Sequence, residues 1–211
     1  MSTLVIFGAG GFGREVADIV DAVSSSSGTG WDAVVFADDA PADDDVARLV
    51  RAGRVLLDGD GIAALPAGTE YVIGIGSGAA RRSIAQRLDD RGWTATTLVH
   101  PAASVGADVD LGPGTILCAG VRLTTNIRTG RHVHVNLNST VGHDSVIGDF
   151  VTINPLVAVS GGVSLEDEVM MGTHSSILQN LSVGARSVAG AGSCVVRPVP
   201  PDTVVKGVPA R

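Results

Sequence analysis

Val141-Gly-His-Asp-Ser-Val-Ile147-Gly-Asp-Phe-Val-Thr-Ile153 decides the fold, because its large aliphatic residues return at every sixth position. Extended both ways, the register reads Val105, Leu111, Leu117, Leu123, Thr129, Val135, Val141, Ile147, Ile153, Val159, Leu165, Met171, Ile177, Val183, Ala189 and Val195. A small residue often follows, as at Gly106, Gly112, Gly130, Gly142, Gly148, Gly172, Gly184 and Gly190. Four residues after each comes a second small or β-branched set, including Val109, Thr115, Val121, Ile127, Val133 and Val151. Residues two apart in a strand share a face, so this second set and the next repeat's first residue point the same way. Each hexad therefore makes one short strand with two inward side chains, then a turn, expected at the glycine. Three such strands close a triangular coil, and coils stack about 4.8 Å apart. The period does not match the 3.6 of an amphipathic helix, and a β-sandwich gives uneven spacings. The reading is a parallel β-helix.

Composition agrees. Of 211 residues, 45% are hydrophobic and 18% charged, enough for a buried core. Aromatics are only 3% and glycines number 28, which suits a narrow prism filled by aliphatic side chains. The net charge of -7 and the lack of any Lys/Arg run exclude nucleic acid as a partner and an electrostatic hold on a membrane. No apolar run reaches the length of a membrane-spanning helix. Met1 to Phe7 lacks the basic start of a signal peptide and reads as a first strand, so the expected location is cytoplasmic. Cys118 and Cys194 have no metal-ligand spacing and read as small buried hydrophobes.

The first half follows another pattern. Thr3-Leu-Val-Ile-Phe7 is a buried strand, then comes Gly8-Ala-Gly-Gly-Phe-Gly13 and a helix with Val16, Ala17, Ile19 and Val20 on one side. Glycines there let backbone approach a phosphate, and a helix N-terminus favours negative charge. Ser24 to Gly30 reads as a flexible loop. Ala33-Val-Val-Phe36 is a second strand ending at Asp38 and Asp39. Glu70 to Ile75 is a third, followed by Gly76-Ser-Gly78 and a helix from near Ala79. About 100 residues are too few for both halves of a dinucleotide fold, so one Rossmann-like βαβαβ unit is expected. The domains are residues 1–98 and 99–211.

Residues 105 to about 206 resemble the hexapeptide-repeat acyltransferases, which implies a left-handed coil. The whole chain resembles the bacterial amino-sugar and sialic acid acetyltransferases of that class. The matching segments are Val5-Ile-Phe-Gly-Ala-Gly-Gly-Phe-Gly-Arg-Glu15, Val141-Gly-His-Asp144 with Val146-Ile-Gly-Asp149, and Gly207-Val-Pro-Ala-Arg211. The resemblance implies a nucleotide-sugar domain ahead of the β-helix, acetyl-CoA as co-substrate, and a homotrimer with active sites between subunits.

His143 lies outside the inward set and should project from a turn. Histidine suits proton removal near neutral pH. By resemblance His143 is the general base and Asp144 its acidic partner. Asn136 stands where the family places an active-site asparagine, although a hydrogen-bond ladder between coils explains it nearly as well. Thr152 replaces a second histidine that contacts the acyl donor in related enzymes. Stacking places His143 under Gly161 and Thr173 under Ala191. Thr152, Gly161, Thr173, Ala191 and Lys206 are the expected acetyl-CoA contacts. For the nucleotide-linked amino sugar the resemblance points to Gly10, Gly11, Phe12, Gly13, Asp38, Asp39, Gly76 and Arg81.

The expected reaction is direct N-acetylation with no acyl-enzyme, since no Ser or Cys elbow motif is present. No metal is expected. Three alternatives stay open: O-acetylation of a sialic acid or another sugar, a β-helix scaffold without catalysis, and a zinc hydratase using His134, His143 and His174 at a subunit interface.

Overall fold

The computed structural model describes residues 2–28 and 30–211. Met1, read above as the start of the first strand, and Thr29, read as part of a loop, lie outside them. The chain divides into two compact units, residues 1–98 and 99–211. Among the described residues no helix is long and apolar enough to cross a membrane.

The first unit runs β1 (Thr3–Phe7), α1 (Gly11–Ser27), β2 (Ala33–Ala37), α2 (Asp43–Arg51), β3 (Val55–Leu56), α3 (Gly59–Ala63), β4 (Glu70–Ile73), α4 (Gly78–Asp90) and β5 (Thr94–Ala95). Its strands are parallel and lie in the order β3-β2-β1-β4-β5. Short strands β3 and β5 thus widen the expected βαβαβ unit by one on each edge. The central strands are wholly buried at Leu4, Val5, Ile6, Val72 and Ile73, as a parallel sheet covered on both faces requires. α1 buries Gly13, Val16, Ala17, Ile19 and Val20. The strand order changes direction between β1 and β4, and in such sheets a ligand crevice opens at the strands' C-terminal ends there. One expectation is corrected: Ser24 to Ser27 are helical, not a loop. The hydroxyls of Ser26 and Ser27 bond back to the Val23 carbonyl at 3.0 and 2.9 Å, and Gly28 closes the helix in a left-handed conformation.

The second unit is a triangular parallel β-helix. One face stacks Ser104–Val105, Arg122–Leu123, Thr140–Val141, Ala158–Val159, Ser176–Ile177 and Cys194–Val195. A second runs from Val109–Asp110 to Ser182–Val183. A third begins at Leu98–Val99 and runs through Ile116–Leu117 to Val204–Val205. Partners such as Leu123, Val141 and Val159 stand 18 residues apart. The inward residues Ile153, Met171, Ile177 and Val183 have no exposed surface, each stabilising the fold by about 1.5–3 kcal/mol. The rule ends near the C-terminus, where Val188 pairs with Val204 only 16 residues on.

The turn chemistry departs from the sequence reading. The left-handed residue is not the glycine after each inward aliphatic but the residue two further on. Asp108, Asn126, His132, Asn138, Asp144, Phe150, Leu156, Glu168, His174, Asn180 and Arg186 hold it, with φ between 52° and 62°. The glycines answer to coil spacing instead. A Cβ on Gly142 would lie 2.6 Å from the Gly161 nitrogen, and one on Gly172 would lie 2.5 Å from the Ala191 nitrogen. Backbone bonds between coils hold the left-handed corners against their intrinsic cost of about 1–2 kcal/mol. Gly172→Ala should therefore lower stability by about 1–3 kcal/mol. Gly192→Asn, at an open left-handed corner where a Cβ meets nothing within 4 Å, should cost less than about 1 kcal/mol. Denaturant melts of both variants compare the two; equal losses contradict the assignment of the glycines to coil spacing.

Candidate active site

One edge of the β-helix carries the column Thr125-Asn126, His143-Asp144, Gly161-Gly162. Asp144 donates its backbone N–H to the Thr125 carbonyl below at 3.2 Å, and Gly162 donates to the His143 carbonyl from above at 2.7 Å. The turn bearing the imidazole is thus pinned from both sides. The His143 side chain remains 64% exposed, so solutes can reach it. Its Nδ1 lies 2.6 Å from Asp144 Oδ2. A carboxylate only accepts, so Nδ1 carries the hydrogen, and in the neutral ring the lone pair is on Nε2. The other Asp144 oxygen, Oδ1, accepts from Asn126 Nδ2 at 2.7 Å. The Asn126 hydrogen bond, then that from His143, hold the Asp144 carboxyl below its ordinary range. The ring lies against Gly161: a Cβ there would stand 2.6 Å from both Cε1 and Nε2.

The other expected donor contacts fall elsewhere. Thr173 and Ala191 are exposed on a different edge, two-thirds of a coil beyond Gly161. One chain therefore presents the imidazole with Gly161 on one edge and these two residues on another. Lys206 is exposed on the last coil. Thr152 corrects the expectation: it is only 3% exposed, between His134 and Met170 in the third face, and offers a donor no surface. Asn136 is also buried, its Oδ1 3.7 Å from Cys118 Sγ one coil below. One coil above, Asn154 donates to the Met171 carbonyl at 2.9 Å. That geometry fits the ladder between coils. The hydratase alternative loses a ligand, since His134 is 1% exposed within a single chain and cannot meet a neighbour's histidines.

In the first unit, Gly10 is the N-cap of α1 and supplies no side-chain cap, whereas Asp58 and Ser77 cap α3 and α4. Gly11, Phe12 and Gly13 form the first turn of α1 at the crevice between β1 and β4. Gly13 also packs the helix on the sheet, because a Cβ there would overlap the Gly8 carbonyl. Asp38 clamps the loop: its oxygens accept from the Ala9 and Ala40 N–H groups at 2.7 and 2.9 Å. Asp39 pairs with Arg87 at 2.8 Å. Arg81 also departs from the sequence reading. It is completely buried, donating to the carbonyls of Ile75 and Gly76 at 3.0 and 2.9 Å, so it shapes the Gly76 turn instead of reaching a ligand.

Two residues escaped the sequence reading. Asn126 was findable by counting 18 residues back from Asp144. Arg14 donates to the Ala9 carbonyl at 3.0 Å and to Asp45 at 2.6 Å, setting a cation beside the glycine loop. Its signal was a lone basic residue one turn after Gly10.

An α/β unit followed by a β-helix of stacked six-residue repeats is the architecture of the left-handed β-helix acyltransferases. Residues 3–88 match the family model for the PglD N-terminal domain. The chain is 31% identical over 153 residues to the GDP-perosamine N-acetyltransferase of Escherichia coli O157:H7, covering 72% of this chain and 67% of that one. WeeI from Acinetobacter baumannii AYE has the same fold, with a TM-score of 0.87 and 28% identity over 100% of this chain and 99% of that one. The acetyltransferase domain of PglB from Neisseria gonorrhoeae FA1090, solved with acetyl coenzyme A, gives 0.86 and 26% over 99% and 98%. PerB from Caulobacter crescentus, solved with CoA and GDP-perosamine, gives 0.82 and 25% over 100% and 97%. The chain belongs to the bacterial amino-sugar acetyltransferases of the hexapeptide-repeat family.

Asp144 adds to folding stability above its ordinary value of 3.8, and the contribution disappears as pH falls through the lower folded-state value. Carbon NMR of the Asp144 carboxyl should accordingly show a midpoint below 3.8; a midpoint above it contradicts the two hydrogen bonds.

Proposed function

We propose that this protein transfers the acetyl group of acetyl-CoA to the amine of a nucleotide-linked amino sugar, with His143 as general base. The observation that carries this reading is the 2.6 Å contact between His143 Nδ1 and Asp144 on a solvent-facing edge. It leaves Nε2 free to take a proton from an attacking amine. The nitrogen bonds to the thioester carbonyl carbon, the C–S bond breaks, and the proton on Nε2 passes to the departing thiolate. Asp144 keeps the ring in one tautomer and stabilises the imidazolium that forms. The reaction needs no covalent enzyme intermediate.

Two relatives support the choice of substrates, PglB through its acetyl coenzyme A and PerB through its CoA and GDP-perosamine. For the sugar nucleotide we assign the crevice beyond β1 and β4, with its phosphates at the first turn of α1, where Gly10 leaves room for an anion. For the donor we assign Gly161 of one subunit together with Thr173 and Ala191 of a neighbour, with Lys206 near the CoA phosphates. Because those residues sit on different edges of one prism, a groove containing them all needs two copies. A cyclic trimer with three such grooves satisfies this, and the protein works in the cytoplasm.

The test is release of CoA thiol with a panel of nucleotide-linked amino sugars and the matching hydroxyl sugars. Wild type should turn over the amines, and His143→Ala should lose at least about 100-fold in kcat. Equal rates remove His143 as the base, and preference for a hydroxyl acceptor removes the N-acetylation. Gly161→Ala should move the ring off its seat and lower kcat by about 100-fold. An unchanged kcat in that variant contradicts the seating of the imidazole on Gly161.

A further inference from the structure

The corner beneath the base carries an interaction that coil geometry alone does not require. Asn126 and Asp144 occupy the same left-handed position in successive coils, with φ of 52° and 61°. The side chain of Asn126 reaches up one coil and donates from Nδ2 to Asp144 Oδ1 at 2.7 Å, while Oδ2 of that carboxylate takes the imidazole hydrogen. Asn138 and Asn180 hold the same kind of corner, but each turns its Oδ1 toward a glycine one coil below, Gly120 and Gly162. Among the described residues, only at 126 and 144 does stacking set an amide donor under an acid that touches the imidazole.

Asn126 is itself held. Its N–H donates to the Ala107 carbonyl at 3.3 Å, and the hydroxyl of Thr125 donates to the same carbonyl at 2.8 Å. The amide thus starts from a fixed corner. Donation to Oδ1 removes the rotation by which the exposed Asp144 side chain would otherwise swing off the ring, and it favours the anion over the neutral acid. An anion fixed at Nδ1 means that Nε2, not Nδ1, faces the reactants with a lone pair.

We propose that Asn126 is a positioning residue of the transfer reaction, acting through Asp144 to fix the orientation and tautomer of His143. This rests on the reading of His143 as the base. It makes the working unit a chain of amide, carboxylate and imidazole climbing one edge of the β-helix across two coils.

The test compares three variants of the full-length protein. Asn126→Gly keeps the left-handed corner and removes the donor. Asn126→Asp keeps the side chain's size and conformational preference but replaces the amide donor with a second acid. Asn138→Gly removes an asparagine from an equivalent corner that does not touch the dyad. Both Asn126 variants should lose between about tenfold and 100-fold in kcat. Their KM for acetyl-CoA and for the sugar nucleotide should stay within about twofold of wild type, and Asn138→Gly should match wild type. Ring nitrogen NMR should show His143 as the Nδ1–H tautomer in wild type and a mixture of tautomers in Asn126→Gly. A wild-type kcat in both Asn126 variants, or an unchanged tautomer in Asn126→Gly, overturns the proposal. An equal loss in Asn138→Gly also does so, by reducing Asn126 to a corner former. The tautomer is read without turnover, so it tests Asn126 even if His143→Ala proves active and the base assignment fails.

Discussion

Every coil of the β-helix hangs on its neighbours by backbone hydrogen bonds that repeat at 18-residue intervals, and this ladder is what the rest depends on. Pairs such as Leu123 with Val141 and Val141 with Val159 set the interval. Close stacking explains the glycines after the inward aliphatics, where a Cβ would strike the next coil. It also explains how residues such as Phe150 and Leu156, poor choices for a left-handed conformation, are held in one. Hydrophobic burial fills the prism, but the ladder fixes which side chains share an edge.

The candidate site is a consequence of that arithmetic. Asn126, Asp144 and Gly162 stack because they are one coil apart, as do Thr125, His143 and Gly161. A base placed on an isolated surface loop would have to order its own backbone and side chain. Here the turn is clamped from below by Thr125 and from above by Gly162, and the ring rests against a residue without a side chain. The turn that carries the imidazole is therefore ordered by the fold itself, which is the condition for orientation to contribute to rate. The first unit uses a different device. Its glycine loop closes tightly through Gly8 and Gly13, and Asp38 binds the loop to the end of β2.

Much of this was legible in the sequence, for a physical reason. A period of six cannot come from a helix, and the small residues record where coils approach. The position of His143 outside the inward set followed from the same count, as did its contact with Gly161. What was hidden depends on contacts that periodicity does not encode. Glycine frequency pointed to the wrong turn residue, because close approach and positive φ both select glycine and only coordinates separate them. The serine run after Val23 read as a loop because serine hydroxyls bonding back to a helical carbonyl leave no pattern. The burial of Arg81 and Thr152 escaped for a related reason: a charged or polar residue type does not announce that its partners lie inside the fold.

The proposed reaction requires the imidazole of His143 to stand beside the thioester, in a groove that two copies of the chain complete. A crystal structure of the protein with acetyl-CoA decides this. The thioester is expected next to Gly161, within reach of a nucleophile hydrogen-bonded to Nε2 of His143, with the pantetheine arm running along the partner subunit's Thr173 and Ala191. A donor bound wholly within one subunit, or on an edge that His143 does not share, contradicts it.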